Sequence, residues 1–66
     1  MTLTINGEDR EVSDDFTLNN LLSDLGLAEK PVVIELNREA LPPSQFRECS
    51  LSDGDQLEII VIAAGG

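Results

Sequence analysis

Leu57-Glu58-Ile59-Ile60-Val61-Ile62-Ala63-Ala64-Gly65-Gly66 is the stretch on which the fold turns. β-Branched residues fill its first half, as a buried strand asks. The side chains then shrink through Ala63 and Ala64 to two glycines. This is the most apolar segment of the chain, which predicts a strand, Gln56 to Ile62, at the centre of a sheet. Residues 1–62 read as one folded domain and residues 63–66 as a flexible tail. Glycine allows another backbone to approach closely, so a strand that tapers through Ala63, Ala64, Gly65 and Gly66 suits entry into something narrow.

Alternation along the strand assigns its faces. Leu57, Ile59, Val61 and Ala63 share one side, and Glu58, Ile60 and Ile62 the other. Glu58 does not belong under a helix, so Ile60 and Ile62 are expected on the open face. A second strand, Val32 to Leu36, follows the same logic. Glu35 points out and takes Val33 with it, while Val32, Ile34 and Leu36 pack inward. Val33, Ile60 and Ile62 thus form an expected apolar patch on an uncovered sheet surface, which usually marks an interface.

The remaining elements surround these two strands. Thr2 to Ile5 alternate, and Asn6-Gly7 predicts a hairpin, because both central positions of a type I′ turn need positive φ. Glu8 to Val12 is the returning strand, a charged edge. Leu18, Leu21, Leu22 and Leu25 form one helical stripe. Thr17 is its N-cap, and Phe16 and Leu21 have the spacing of a hydrophobic staple. Gly26 stops the helix, with Leu27 folding back on Leu22. About two turns of helix cannot stand alone and need a sheet to lie on. Asn37 to Ala40 reads as a turn, and Leu41-Pro42-Pro43 as extended. Ser44 to Phe46 reads as a short turn with Phe46 in the core, and Arg47 to Ser50 as a short fourth strand. Ser52 to Asp55 is the turn into the last strand. The fold class is α+β, a roll with a mixed sheet of four to five strands and one main helix on one face.

Composition narrows the function. Sixty-six residues make one small core,. Thirteen acids against four bases give a net charge of -9, and the chain has two Phe but no Tyr or Trp. That argues against nucleic acid and anionic membranes as partners, and the acids either suit a basic protein partner or only keep a small domain in solution. The apolar run Ile59 to Ala64 is too short to span a bilayer. No basic segment followed by an apolar one opens the chain, and its one cysteine precludes an internal disulfide. Both point to a cytoplasmic protein.

Catalytic groups are scarce. There is no His, the commonest general base. Cys49 has neither a base nor a CxxC partner and reads as a small hydrophobe. Asp53-Gly54-Asp55 lacks the alternating ligands and distal glutamate of a calcium loop and reads as turn chemistry. No glycine-rich loop between strand and helix could cradle phosphate. The chain is therefore not expected to be an enzyme or to bind a metal or cofactor. What remains is the carboxylate of Gly66. A terminal carboxylate titrates near about 3.5, so it is ionised at neutral pH, yet it transfers no acyl group until activated. ATP could activate it as an acyl-adenylate, and the glycines leave the carbonyl uncrowded. The same ending could equally be a frayed terminus.

Several segments together carry a resemblance. They are Leu18-x-x-Leu21-Leu22-x-x-Leu25-Gly26, Val33-Ile34-Glu35-Leu36-Asn37, Leu41-Pro42 with Phe46, Asp53-Gly54-Asp55-Gln56-Leu57 and the closing Gly65-Gly66. The whole chain resembles the MoaD/ThiS family of ubiquitin-like β-grasp sulfur carriers, and within it the carriers of thiamine biosynthesis. The resemblance implies that a ThiF-type, E1-like enzyme adenylates Gly66 with ATP. Sulfur from a cysteine desulfurase pathway then gives a thiocarboxylate, which a ThiG-type thiazole synthase consumes. Ala63, Ala64 and Gly65 would ride as the partner-binding tail, and the Val33, Ile60 and Ile62 patch lies where ubiquitin-like proteins usually meet partners. The small subunit of molybdopterin synthase shares the fold and ending but tends to carry a Phe-Pro-Pro segment absent here. Ubiquitin has basic residues where this chain has Ile62 and Ala64, so ligation to target proteins is not implied. A plain interaction module with an inert tail is the competing reading from another class.

Overall fold

The computed structural model describes residues 1–62. The tail assigned to residues 63–66 lies outside the described residues. Strand β1 (Thr2–Ile5) turns through Asn6 and Gly7, at φ 51° and 83°, into β2 (Glu8–Glu11). Helix α1 (Leu18–Asp24) follows, then β3 (Val32–Leu36), β4 (Glu39–Leu41), a short 3-10 helix (Pro43–Glu48) and β5 (Gln56–Val61). The strand order is β2-β1-β5-β3-β4. β1 and β5 run parallel, and the other pairs are antiparallel. The sheet is therefore mixed and five-stranded, with the last strand at its centre and one main helix packed on it.

The helix is bounded by its own chemistry. Thr17 Oγ1 accepts the Asn20 N–H at 3.2 Å, and Asn20 Oδ1 accepts the Thr17 N–H at 3.0 Å. This capping box satisfies two backbone donors at once. At the other end Gly26 sits at φ 73°. Leu27 N–H donates to Leu22 C=O at 2.7 Å and Gly26 N–H to Ser23 C=O at 3.0 Å, the Schellman pairing,. Leu18, Leu21 and Leu22 are buried. They meet Leu3, Ile5, Val32, Ile34, Leu57 and Ile59 from the sheet, and Leu51 completes the core. Among the described residues no helix is long and apolar enough to cross a membrane.

The segment from residue 37 to 50 departs from the sequence reading. Asn37 and Arg38 take φ of 52° and 71°, so a two-residue hairpin turn joins β3 to β4 where only a turn was expected. Pro43 does not stay extended but opens the 3-10 helix, since a proline in the first turn sacrifices no helical donor. Arg47 to Ser50 forms no strand, because the 3-10 helix runs through Glu48 and leaves only an isolated bridge between Ser50 and Thr17. Phe46 is half-buried, packed against the core rather than in it. The returning strand ends at Glu11 and the last strand at Val61, one residue short of the expected ends.

Candidate functional site

Asparagine side chains set the last strand in place. Asn6 Oδ1 accepts the Ile59 N–H at 2.8 Å, and Asn6 Nδ2 donates to the Ile59 C=O at 3.1 Å. The side chain does what a further β1 residue would have done. On the other flank Asn37 Oδ1 accepts the Gln56 N–H at 2.9 Å and Nδ2 donates to Asp55 Oδ1 at 3.0 Å. The sequence marks both asparagines only as turn residues. Their second role becomes visible once the register brings them beside β5. β5 is thus held by side-chain bonds at Gln56 and Ile59 as well as by its ladders.

The register places the patch residues. β3 and β5 pair Val33 with Ile60, Glu35 with Glu58 and Leu36 with Leu57. Directly opposed residues share a face. Leu57 and Ile59 are buried, whereas Ile60 is 62% and Val33 44% exposed. Val33 and Ile60 are side by side on the open surface. Ile62, 48% exposed, comes after the last paired residue and borders a groove with Leu22, Pro31, Val32 and Phe46. Leu22, Val32 and Phe46 belong to the core side, and nothing among the described residues sets Ile62 beside the Val33–Ile60 pair. Val61 was expected to pack inward but is 46% exposed. It shares the face of Ile59, but α1 ends too soon to cover it. Ala63, Ala64, Gly65 and Gly66 lie outside the described residues.

Next to the apolar pair stands a feature that side-chain alternation alone does not single out. Glu35 and Glu58 are directly opposed at the middle of the sheet, both exposed. Among the described residues the ion pairs are Met1 with Asp14 at 3.1 Å and Arg10 with Asp24 at 3.7 Å. Neither glutamate has a counterion within the domain. The open face therefore presents two hydrophobes and two uncompensated carboxylates in adjoining rows.

The other polar groups are occupied with structure. Asp55 Oδ2 accepts the Ser52 N–H at 2.7 Å, and Asp53 Oδ1 accepts the Thr2 N–H at 2.7 Å. Both carboxylates of the Asp53-Gly54-Asp55 turn thus tie the turn together and to β1. Cys49 is half-buried, and its Sγ donates to the Ser50 C=O at 3.8 Å. Burial, and then the charge of Asp55, push its thiol above the ordinary value. A thiol held protonated is a poor nucleophile.

The comparisons bear on the whole chain. Residues 3–66 match the model of the ThiS family. The chain is 41% identical over 66 residues to a thiazole synthase of Paramagnetospirillum magneticum, covering all of this chain but only 20% of that one. It thus spans about one fifth of that relative's length. It is 34% identical over 65 residues to the sulfur carrier protein ThiS of Bacillus subtilis, covering 97% of this chain and 98% of that one. The crystal structure of a thiamine biosynthesis protein, ThiS, from Geobacter metallireducens superposes with a TM-score of 0.82 at 35% identity, with both chains fully covered.

Proposed function

The chain belongs to the ThiS family, and on that premise we propose that it carries sulfur for thiamine biosynthesis on the carboxylate of Gly66. Its role is that of a sulfur carrier, a protein co-substrate charged and discharged by others. A Gly66 oxygen attacks the α-phosphorus of ATP in a ThiF-type enzyme, and pyrophosphate leaves. A sulfur nucleophile, supplied through a cysteine desulfurase, attacks the acyl carbon and AMP leaves. Where that nucleophile is a persulfide, a further thiol reduces the S–S bond and frees the thiocarboxylate. A ThiG-type thiazole synthase takes the sulfur onward. The working place of these enzymes is the cytoplasm.

The observation that carries the reading is the family match running through Gly65-Gly66. Val33, Ile60 and Ile62 would meet the partner enzymes, with Ala63, Ala64 and Gly65 as the segment they grip. The ThiG-type partner is supported by a thiazole synthase one fifth of whose length is 41% identical to this chain.

Intact mass settles the chemistry. Incubation with the adenylating enzyme, ATP and a sulfur donor should raise the mass by the difference between one sulfur and one oxygen. No gain, with thiazole synthase still bound after deletion of Gly65 and Gly66, would turn the reading into that of a plain interaction module.

A further inference from the structure

β5 outlasts its neighbour on one flank. Ile62 N–H donates to Pro31 C=O at 2.9 Å, and Asn37 N–H to Gln56 C=O at 2.7 Å. In an antiparallel ladder, pairs that exchange hydrogen bonds alternate with pairs that do not. The register therefore makes Val33–Ile60 and Glu35–Glu58 bonded pairs, and Val32–Val61, Ile34–Ile59 and Leu36–Leu57 non-bonded ones. The N–H and C=O groups of Leu57, Ile59 and Val61 all point away from β3, toward the β1 flank. There Leu57 C=O takes the Asn6 N–H at 2.9 Å. Both backbone groups of Ile59 are taken by the Asn6 side chain. At Val61 nothing among the described residues takes either group, because β1 has already ended at Ile5, opposite Leu57.

The space beside this edge is open. A groove of about 360 Å³ runs there, floored by Ile5, Leu25, Leu27, Ile59 and Val61. Glu8, Asp9 and Arg10 form its rim. Arg10 is already turned to Asp24, and Asp9 Oδ1 accepts the Thr4 hydroxyl at 2.9 Å on the opposite face, so the free charge on the rim is that of Glu8. Unpaired strand-edge groups beside an apolar groove are what an added strand needs: main-chain bonds for affinity and a seat for alternate side chains.

We propose that the Val61 edge of β5 accepts an extended strand from the thiazole synthase partner. The strand bonds Val61 N–H and C=O, seats one apolar side chain in the groove, and sets a Lys or Arg against Glu8. The identity of the partner rests on the sulfur-carrier reading. The edge itself rests on the register. Val61 stands five residues before Gly66 in the chain, so a strand added here would hold the carrier close to the enzyme that empties it. A second copy of this chain fits poorly, since each copy carries a net charge of -9 and would bring like-charged rims together.

Amide exchange on the isotopically labelled full chain tests this, with and without the thiazole synthase of the same organism. In the free chain Val61 should exchange rapidly while Ile60, bonded to Val33, is protected. In the complex Val61 should become protected as well. Val61→Pro deletes an N–H outside the β3 ladder, so it should leave Tm nearly unchanged and weaken binding by roughly tenfold. Ile60→Pro, which breaks the ladder, should lower Tm. If Val61→Pro does not fold, an amide-to-ester replacement at Val61 in synthetic protein removes the same donor without the ring. Binding with Val61 still exchanging freely and the variant as tight as the parent would overturn the edge inference and leave the carrier reading standing. No binding of the parent would overturn both. Concentration-dependent protection of Val61 in the free chain would assign the edge to a second copy and overturn the proposal.

Discussion

Leu57 and Ile59 are 1% and 6% exposed beneath α1, whereas Ile60, next along the same strand, is 62% exposed. Ile59 and Ile60 are the same residue type in the same conformation. What separates them is the helix, which lies on one side of β5 and leaves the other bare. The core side is sized for stability. On the bare side, Val33 and Ile60 hold their hydrophobicity where it contributes little to folding, which implies a use in meeting another molecule.

The sharpest break of that contrast comes from truncating one side and then the other. Leu57→Ala should cost about 2–5 kcal/mol. For a 66-residue domain whose total stability is of order 5 kcal/mol, that leaves the chain barely folded. Ile60→Thr should shift stability by less than about 0.5 kcal/mol while clearly weakening capture of the adenylating enzyme. Urea unfolding and a binding titration on both variants check the pair. A large loss of stability from Ile60→Thr would show that the bare face is not bare in solution.

A second contrast is between the flanks of β5. The β3 flank is a continuous backbone ladder, but on the β1 flank the ladder stops at Leu57 and one side chain, Asn6, carries Ile59. Asn6→Ala strands two partly buried backbone groups and forces alanine to φ 51°, at a cost of about 1–3 kcal/mol. Asn6→Gly removes the same bonds but tolerates that φ. It should therefore be less damaging, and the difference in urea midpoint isolates the backbone strain. Equal loss from both would mean that the side-chain bonds carry the whole effect.

These contrasts explain what could be read from the residues. β1, the Asn6-Gly7 turn, α1 and β3 announce themselves through local alternation, periodicity and capping. The inner and outer faces of β5 follow from Glu58. β4 is hidden because Glu39-Ala40-Leu41 is too short to alternate and its turn, Asn37-Arg38, lacks the glycine that usually betrays positive φ. Pro42 and Pro43 look extended when read singly, although the second begins a 3-10 helix. Val61 obeys its parity yet stays exposed, since a seven-residue α1 cannot cover the strand's end. The unpaired edge there depends on where β1 stops relative to β5, a long-range register that no local window contains. Of the expected site, the faces of Val33 and Ile60 were legible, but Ile62 lies past the strand end, where alternation no longer applies, beside core-side neighbours.

The smallest expected effect has the opposite sign. Glu35 and Glu58 stand directly opposed in the two most extensively paired strands, and neither makes an ion pair among the described residues. Like charges opposite one another weaken a sheet. Glu58→Gln keeps the shape and removes the repulsion, so it should raise stability by up to about 1 kcal/mol. Both groups are exposed, so salt should screen the repulsion, and the gain should shrink toward zero in about 1 M NaCl. The same substitution should slow association with a basic partner at low salt, because it removes part of the field that steers encounter. A domain this small that tolerates an avoidable repulsion beside an exposed apolar pair is giving up stability on the face where the partner reading requires charge. If Glu58→Gln left both stability and association rate unchanged, the two carboxylates would be mere solvated surface, and the contrast between the faces would reduce to hydrophobicity alone.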